Sequence, residues 1–209
     1  MEFQALTSIE QLRALYDQPH ELAVKKQQNA LDSFSRQFLE LSPFCLLSTA
    51  ARNGAMDCSP RGDYPGFVEA LDDSTLAMPD RPGNNRIDSL SNIVENPNVG
   101  LLMVVPGFNE CLRVNGKASI TTDADLMQRF EHKGKLPRSV VVIRIEEIYF
   151  HCAKSMIRSK LWNLESQVSR DLMPSLGKII MAQTAPESPE ALVDAVDAQI
   201  REGERTTLY

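Results

Sequence analysis

Three short segments of the sequence concentrate residues that could bind an anionic ligand. The first is residues 57–63 (DCSPRGD), in which Arg61 lies between a proline and a glycine directly after a predicted strand. The planar guanidinium of Arg61 suits a phosphate, because it presents parallel N–H donors to paired acceptors. A second interpretation stays open, in which Arg61 is a surface residue that pairs with Asp57 or Asp63.

The second segment, residues 78–86 (MPDRPGNNR), precedes a predicted helix. The first turn of a helix offers free backbone N–H groups and the positive end of the helix dipole, and both favour an anion. Arg81 and Arg86 would add positive charge there, whereas Asn84 or Asn85 could instead cap the helix. The segment is not a Walker loop, and no GxGxxG fingerprint occurs in the chain.

The third segment is residues 151–162 (HCAKSMIRSKLW). Lys154 and Arg158 are four residues apart, so they share one face of a predicted helix over 153–163, and Trp162 extends that face. Two cations and an aromatic ring could enclose an anionic ring system. The alternative is a solvated basic face with Trp162 packed against the rest of the fold.

Composition narrows the classes of protein that need to be considered. The chain has 209 residues and a formal net charge of −6, which argues against a general affinity for nucleic acid or an anionic membrane. Its four cysteines are widely separated, and its three histidines lack metal-ligand spacing, so we predict no metal site. We assign no catalytic residue. The absence of a signal-peptide pattern and of a long apolar run predicts a cytoplasmic location.

Strand patterns occupy the middle of the chain and helical patterns occupy both ends. We predict a single domain, with helices over 1–43, a β core over 44–150 and helices over 151–209. The strands are predicted at 44–50, 55–58, 74–78, 99–105, 112–120 and 139–150, and helices outside the N-terminal part at 87–94, 123–131, 153–163, 175–183 and 189–202. Asn53-Gly54 predicts a hairpin turn, and Gly116 inside a strand predicts a bulge or a close backbone approach. About six strands between helical ends favour a closed or split antiparallel barrel.

Taken in this order, the segments resemble the flavin-binding proteins related to pyridoxamine 5'-phosphate oxidase. The resembling stretches are FCLLSTAARNGAMDCSPRGD, TLAMPDRPGNNRIDSLSNIVENPNVGLLMVVPG, CLRVNGKASI and HCAKSMIRSKLW, and the most specific string is DRPGNNRIDSLSNI followed by ENPNVGLL. The resemblance implies a mainly β fold with peripheral helices, in the form of a six-stranded antiparallel FMN-binding split β-barrel. It also implies a homodimer with one flavin mononucleotide (FMN) at each subunit interface.

The resemblance further implies roles for particular residues. Arg61 and Arg86 would bind the FMN phosphate, with Ser59 and Asn85 as polar support. The isoalloxazine ring would lie along Met78, Pro79 and Asp80. The flavin would also be approached by Lys154, Arg158 and Trp162, from the same subunit or from its partner.

The sequence departs from the oxidases in two places. Their Arg-x-x-Leu-Leu-Lys phosphate motif is replaced by residues 61–66 (RGDYPG), and their Arg-and-His substrate motif is absent from residues 200–209 (IREGERTTLY). We therefore do not predict oxidation of pyridoxamine phosphate. The leading hypothesis is an FMN-dependent oxidoreductase that acts on an unknown small molecule or electron donor. The alternatives are a non-catalytic flavin-binding or flavin-storage protein, and a haem-handling split barrel with His132 or His151 as a ligand.

Overall fold

One antiparallel sheet organises the central part of the chain. The computed structural model describes residues 2–209. The strands are β1 (Phe44–Ala50), β2 (Met56–Gly62), β3 (Glu69–Ala70), β4 (Thr75–Asp80), β5 (Asn98–Val104), β6 (Cys111–Thr121) and β7 (Ser139–His151). Their order across the sheet is β2-β1-β5-β6-β7-β4-β3. Strands β2 and β4 are thus far apart across the sheet, although both contribute to the cavity described below.

Helices precede, interrupt and follow the sheet. They are α1 (Ile9–Arg13), α2 (Glu21–Lys25), α3 (Ser33–Leu41), α4 (Asp88–Glu95), α5 (Ala124–Arg129), α6 (Lys154–Ser159), α7 (Leu176–Thr184) and α8 (Glu190–Thr206). Asp32 caps α3 through a reciprocal pair of hydrogen bonds with Ser35, which fixes where that helix begins. Phe38 and Leu39 of α3 are buried in the core formed by the sheet. No described helix has the length and apolar character needed to cross a lipid bilayer.

The predicted hairpin and the predicted close approach are both confirmed. Strands β1 and β2 pair around the turn at Asn53-Gly54, where Gly54 has a φ of +87° that favours glycine. The β6–β7 register shifts between Asn115 and Gly116. A Cβ atom on Gly116 would lie 2.1 Å from the carbonyl oxygen of Arg144. Glycine is therefore required at this position, because any side chain would collide with the neighbouring backbone.

The structure corrects the predicted number of strands and excludes the closed form of the predicted closed or split barrel. There are seven strands among the described residues rather than six, because the two-residue strand β3 is too short to leave a sequence pattern. The sheet is also open rather than closed, since its edge strands β2 and β3 do not pair with each other. Strand β2 continues to Gly62, so Arg61 lies within the strand and not after it.

Candidate functional site

A cavity of about 600 Å³ lies between β2, the end of β4, the loop 81–87 and the first turn of α4. The start of β7 completes its wall. Six of the predicted site residues line this cavity, namely Ser59, Arg61, Pro79, Asp80, Asn85 and Arg86. Four arginines and four aspartates are among its lining residues, and they are Arg61, Arg81, Arg86, Arg138, Asp57, Asp63, Asp80 and Asp88.

The alternation of β2 places three polar side chains on the cavity side of the sheet. Asp57, Ser59 and Arg61 are half-buried, whereas the residues between them are exposed. Strand β2 is an edge strand, so Pro60 removes no hydrogen bond from the interior of the sheet. The strand can therefore carry the stiff Pro60-Arg61 sequence and still pair with β1.

A directional chain of hydrogen bonds links these β2 residues to α4. The buried Ser89 hydroxyl donates to an Asp57 carboxylate oxygen at 2.5 Å, so the Ser59 hydroxyl, 2.8 Å from Ser89, must donate to Ser89. Ser59 in turn accepts a hydrogen bond of 3.3 Å from Nε of Arg61. The Ser59 proton is thus already used, and this side chain holds Arg61 in place rather than offering a free donor to a ligand.

Two ion pairs are partly or largely shielded from water at the cavity. Nη1 of Arg61 lies 2.8 Å from a carboxylate oxygen of Asp80, and Nε of Arg81 lies 2.6 Å from one of Asp63. The Asp63 side chain is only 1% exposed. Nη2 of Arg81 is buried and has no hydrogen-bond partner among the described residues. Arg81 therefore keeps a buried donor without an acceptor, which is energetically costly.

Arg86 differs from these two arginines because its side chain is 73% exposed. Its Nε lies 2.8 Å from Asp88, and this hydrogen bond, together with the negative charge of Asp88, raises the pKa of the Arg86 guanidinium. An exposed pair of this kind contributes little to stability, because water screens it. Arg86 is thus free to reorient toward a ligand at a small energetic cost.

The first turn of α4 is not capped by a side chain. The residue that precedes the helix, Ile87, has a left-handed backbone conformation with φ of +53°, which is unusual for a β-branched residue. Neither asparagine acts as the cap: Asn84 accepts a hydrogen bond from the backbone N–H of Arg86, and Asn85 accepts one from Arg138. The interpretation of Asn84 or Asn85 as a helix cap is therefore wrong. The first-turn N–H groups of α4 thus have no side-chain cap, and groups of this kind favour an anion.

Arg138 is a cavity residue that no sequence motif indicates. Its Nη1 donates to Oδ1 of Asn85 at 2.7 Å, and its backbone N–H donates to the carbonyl of Asp80 at 3.0 Å. No local motif marks it, because it lies 53 residues after Asn85. Only the pairing of β4 with β7, which sets Asp80 opposite Ser139, brings it to the cavity.

The remaining predicted site residues lie elsewhere in this subunit. Met78 is 1% exposed and belongs to the core, so its side chain does not line the cavity. Lys154 and Arg158 are exposed on α6. The prediction that Trp162 extends their helix face is wrong, because α6 ends at Ser159 and Lys160 adopts a left-handed conformation.

Trp162 instead packs near a second, more apolar cavity. Its Nε1 donates to the carbonyl of Phe108 at 2.7 Å. Phe108 is one of the residues that line a space of about 400 Å³, together with Phe34, Gln37, Phe38, Leu41, Glu110 and Phe150. None of Lys154, Arg158 and Trp162 lines the arginine-rich cavity of the same subunit.

The arginine-rich cavity fits a phosphorylated ligand on three grounds. Its volume lies within the range of roughly 300–1,000 Å³ that is usual for small-molecule sites. The uncapped helix terminus offers backbone donors, and the buried Nη2 of Arg81 lacks an acceptor. These donors, together with the guanidinium groups that line the wall, suit a phosphate group.

The fold and cavity describe a mainly β protein with a site suited to an anion, and comparison with known proteins gives its family. Residues 31–152 match the family model described as pyridoxamine 5'-phosphate oxidase. That match spans more than half of the chain, which therefore belongs to the pyridoxamine 5'-phosphate oxidase-like family, as the resemblance implied. A search of curated proteins finds no significant match.

Three solved structures show distant similarity to this chain. HupZ of Group A Streptococcus is 18% identical, with 57% of this chain and 93% of that chain covered and a TM-score of 0.47. General stress protein 26 of Bacillus anthracis is 19% identical, covering 55% and 88%, with a TM-score of 0.42. HutZ of Vibrio cholerae, described as a haem storage protein, is 16% identical, covering 56% and 89%, with a TM-score of 0.39.

Proposed function

We propose that the protein binds FMN, with the flavin phosphate in the arginine-rich cavity, and that it acts as an oxidoreductase on a small molecule or electron donor. The observation that carries the proposal is the cavity itself. In a member of this family, it combines an uncapped helix terminus with four arginines, one of which keeps a buried donor without an acceptor. The flavin would supply the redox chemistry, and the protein would bind and orient it.

Different groups of the cavity would bind different parts of the flavin. The backbone N–H groups at the start of α4 and the side chain of Arg81 would donate to phosphate oxygens. Arg61 would approach the same region with its direction set by Ser59 and Asp80, since both accept its N–H groups. Pro79 and Asp80 form the wall next to that phosphate site and would flank the ring. Exclusion of water would strengthen these contacts, because charges interact more strongly at low dielectric.

The proposal also includes a homodimer and a split β-barrel. The predicted ring contacts Lys154, Arg158 and Trp162 do not line the cavity of their own subunit, so a partner subunit would have to supply them. Of the seven strands, the six longer ones would form the barrel, and the two-residue β3 would be an addition at its edge. A cytoplasmic location stays a prediction.

The absorption spectrum of the purified protein is the direct test of the cofactor. We expect the two-band spectrum of a bound oxidised flavin, either as isolated or after incubation with FMN and removal of the excess by gel filtration. A spectrum with the intense single band of haem would contradict the proposal. Nor would the proposal survive if the protein failed to retain FMN after reconstitution.

Anaerobic mixing of the flavin-loaded protein with NADH or NADPH then distinguishes an enzyme from a flavin-storage protein. Bleaching of the flavin that saturates with donor concentration would support an oxidoreductase. The non-catalytic alternative would be favoured if the flavin stays oxidised with these donors and with other low-potential biological reductants.

A further inference from the structure

The arginines of the cavity are not equivalent, because most of them are already neutralised. Arg61 pairs with Asp80, Arg81 with Asp63 and Arg86 with Asp88. Among the described residues Arg138 is the one cavity arginine that forms no ion pair. An anion bound to any of the first three would compete with the paired carboxylate for the guanidinium, whereas the guanidinium of Arg138 has no such ion-pair partner among the described residues.

The single side-chain hydrogen bond of Arg138 goes to a neutral group. Its Nη1 donates to the amide oxygen Oδ1 of Asn85 at 2.7 Å. A guanidinium has five N–H donors, so the remaining ones are available to a ligand. The side chain is exposed to the cavity solvent rather than packed away. An incoming anion would therefore pay no cost for breaking an ion pair and would gain a charge-assisted hydrogen bond.

A backbone hydrogen bond fixes the position of the Arg138 main chain at the edge of the cavity. Its N–H donates to the carbonyl of Asp80 at 3.0 Å, one residue before the register pair of Asp80 and Ser139. Asn85 has a left-handed conformation with φ of +60°, which asparagine tolerates better than most residues. The Asn85 side chain thus ties the loop 81–87 to the start of β7 and holds the guanidinium at the cavity.

We propose that Arg138 is the main anion-binding residue of this cavity and that Asn85 is its positioning residue. The inference rests on the proposed function, in which the anion is the phosphate monoester of FMN. It makes the Arg138 guanidinium, rather than that of Arg61 or Arg86, the principal contact of the phosphate.

The first test compares the affinities of FMN and riboflavin, which differ only in the phosphate. Both dissociation constants are measured by quenching of flavin fluorescence for wild type, Arg138→Gln and the control Arg144→Gln. Arg144 is an exposed arginine of β7 that does not line the cavity. We expect Arg138→Gln to weaken FMN about ten- to hundredfold, as for a lost charged hydrogen bond, with little change for riboflavin. Arg144→Gln should change neither.

The second test asks whether Asn85 acts through Arg138. Asn85→Ala should weaken FMN about threefold to tenfold in the wild-type background, because Arg138 loses the hydrogen bond that positions it but keeps its charge. It should add little when Arg138 is already glutamine, because coupled residues are not additive. Equal losses in both backgrounds would show that Asn85 binds independently, which would overturn its positioning role.

The inference and the proposed function can fail separately. If FMN binds but Arg138→Gln changes its affinity less than twofold while Arg61→Ala lowers it strongly, the inference is overturned and the proposed function stands. If wild type binds neither FMN nor riboflavin, the proposed function fails. Titration with inorganic pyrophosphate then tests Arg138 on its own: binding that Arg138→Gln abolishes supports the anion site, and its absence in wild type overturns it.

Discussion

Tyr209 donates a hydrogen bond of 2.8 Å from its hydroxyl to Oδ1 of Asp63, a residue 146 positions earlier in the chain. The other oxygen of the same carboxylate binds Nε of Arg81. The Tyr209 ring lies 4.5 Å from that of His132, centroid to centroid. The segment that follows α8 is therefore attached to the cavity wall. A substitution in that segment would alter the contacts of Asp63, which lines the site.

Tyr209→Phe should lower the free energy of unfolding by about 1 kcal/mol at neutral pH, since it removes one hydrogen bond and keeps most of the ring packing. The effect should depend on pH. The hydrogen bond to Asp63 and burial both raise the pKa of the Tyr209 hydroxyl. Its stabilising contribution is therefore complete below the unfolded pKa of about 10 and is lost as pH rises through the higher folded pKa.

Urea unfolding of wild type and Tyr209→Phe at neutral and alkaline pH checks this prediction. The difference between the two proteins should shrink at strongly alkaline pH. A difference that stays constant across the titration of tyrosine would mean that the hydroxyl contact is not the source of the stability.

Arg81→Ala should destabilise the protein by about 3–5 kcal/mol, because it leaves the Asp63 carboxylate buried without its cation. The double variant Arg81→Ala/Asp63→Asn should recover part of this loss, since the uncompensated charge is gone. Chemical denaturation of both single variants and of the double variant forms a double-mutant cycle. Strict additivity of the two single losses would contradict the pair as the structure has it.

Gly116→Ala should lower the free energy of unfolding by several kcal/mol, because the new Cβ would lie 2.1 Å from the carbonyl oxygen of Arg144. A steric conflict with the backbone is among the most destabilising effects of a single substitution. Gly203→Ala is the matched control. Gly203 lies within α8, where an added Cβ has its nearest neighbour at 4.0 Å. Alanine there should raise stability by up to about 1 kcal/mol, since it is the better helix former. Thermal unfolding midpoints that move together in both variants would refute the argument.

Sequence patterns were sufficient for features that depend on near neighbours in the chain. The strand patterns at 44–50 and 139–150, the turn at Asn53-Gly54 and the restriction at Gly116 are all local, and the structure confirms each of them. The short strand β3 gave no pattern, because two residues are too few to show alternation. The end of α6 was also missed, because Lys160 is not a residue type that usually marks a left-handed stop.

The candidate site was predictable only in part, because several of its contacts join residues that are far apart in the sequence. Ser59, Arg61 and Asp80 lie in conspicuous motifs, and they do meet at the cavity. Their pairing was not predictable, since the Arg61–Asp80 contact depends on how the two ends of the sheet approach each other. Arg138 was invisible for a related reason, because it reaches the cavity through the register of β7 against β4.

Arg61→Ala and Arg86→Ala should differ in their effects on FMN binding. Arg61 is held by Ser59 and Asp80 with its side chain 22% exposed, whereas Arg86 is 73% exposed. We expect loss of Arg61 to weaken FMN about tenfold and loss of Arg86 to weaken it only a few-fold, because Arg61 is already held in position whereas the exposed Arg86 side chain must be ordered when it binds. Calorimetric titration measures both, and riboflavin serves as the phosphate-free control. An equal loss for FMN and riboflavin would remove either residue from the phosphate site.

Trp162→Ala tests the proposed arrangement of two subunits around the flavin. In one subunit Trp162 binds the carbonyl of Phe108 and does not line the arginine-rich cavity. If a partner subunit brings Trp162 to the flavin ring, the variant should change flavin fluorescence and redox potential and still retain FMN. Light scattering of wild-type holoprotein should give about twice the chain mass of 23.3 kDa. A monomer that binds FMN and shields it from solvent, with a spectrum unchanged in Trp162→Ala, would refute the arrangement.

Phe34→Ala is the control, because Phe34 lines the second cavity but forms no hydrogen bond through its side chain. A flavin signal that changes equally in Phe34→Ala and Trp162→Ala would indicate disturbed packing near Phe108 rather than contact with the ring.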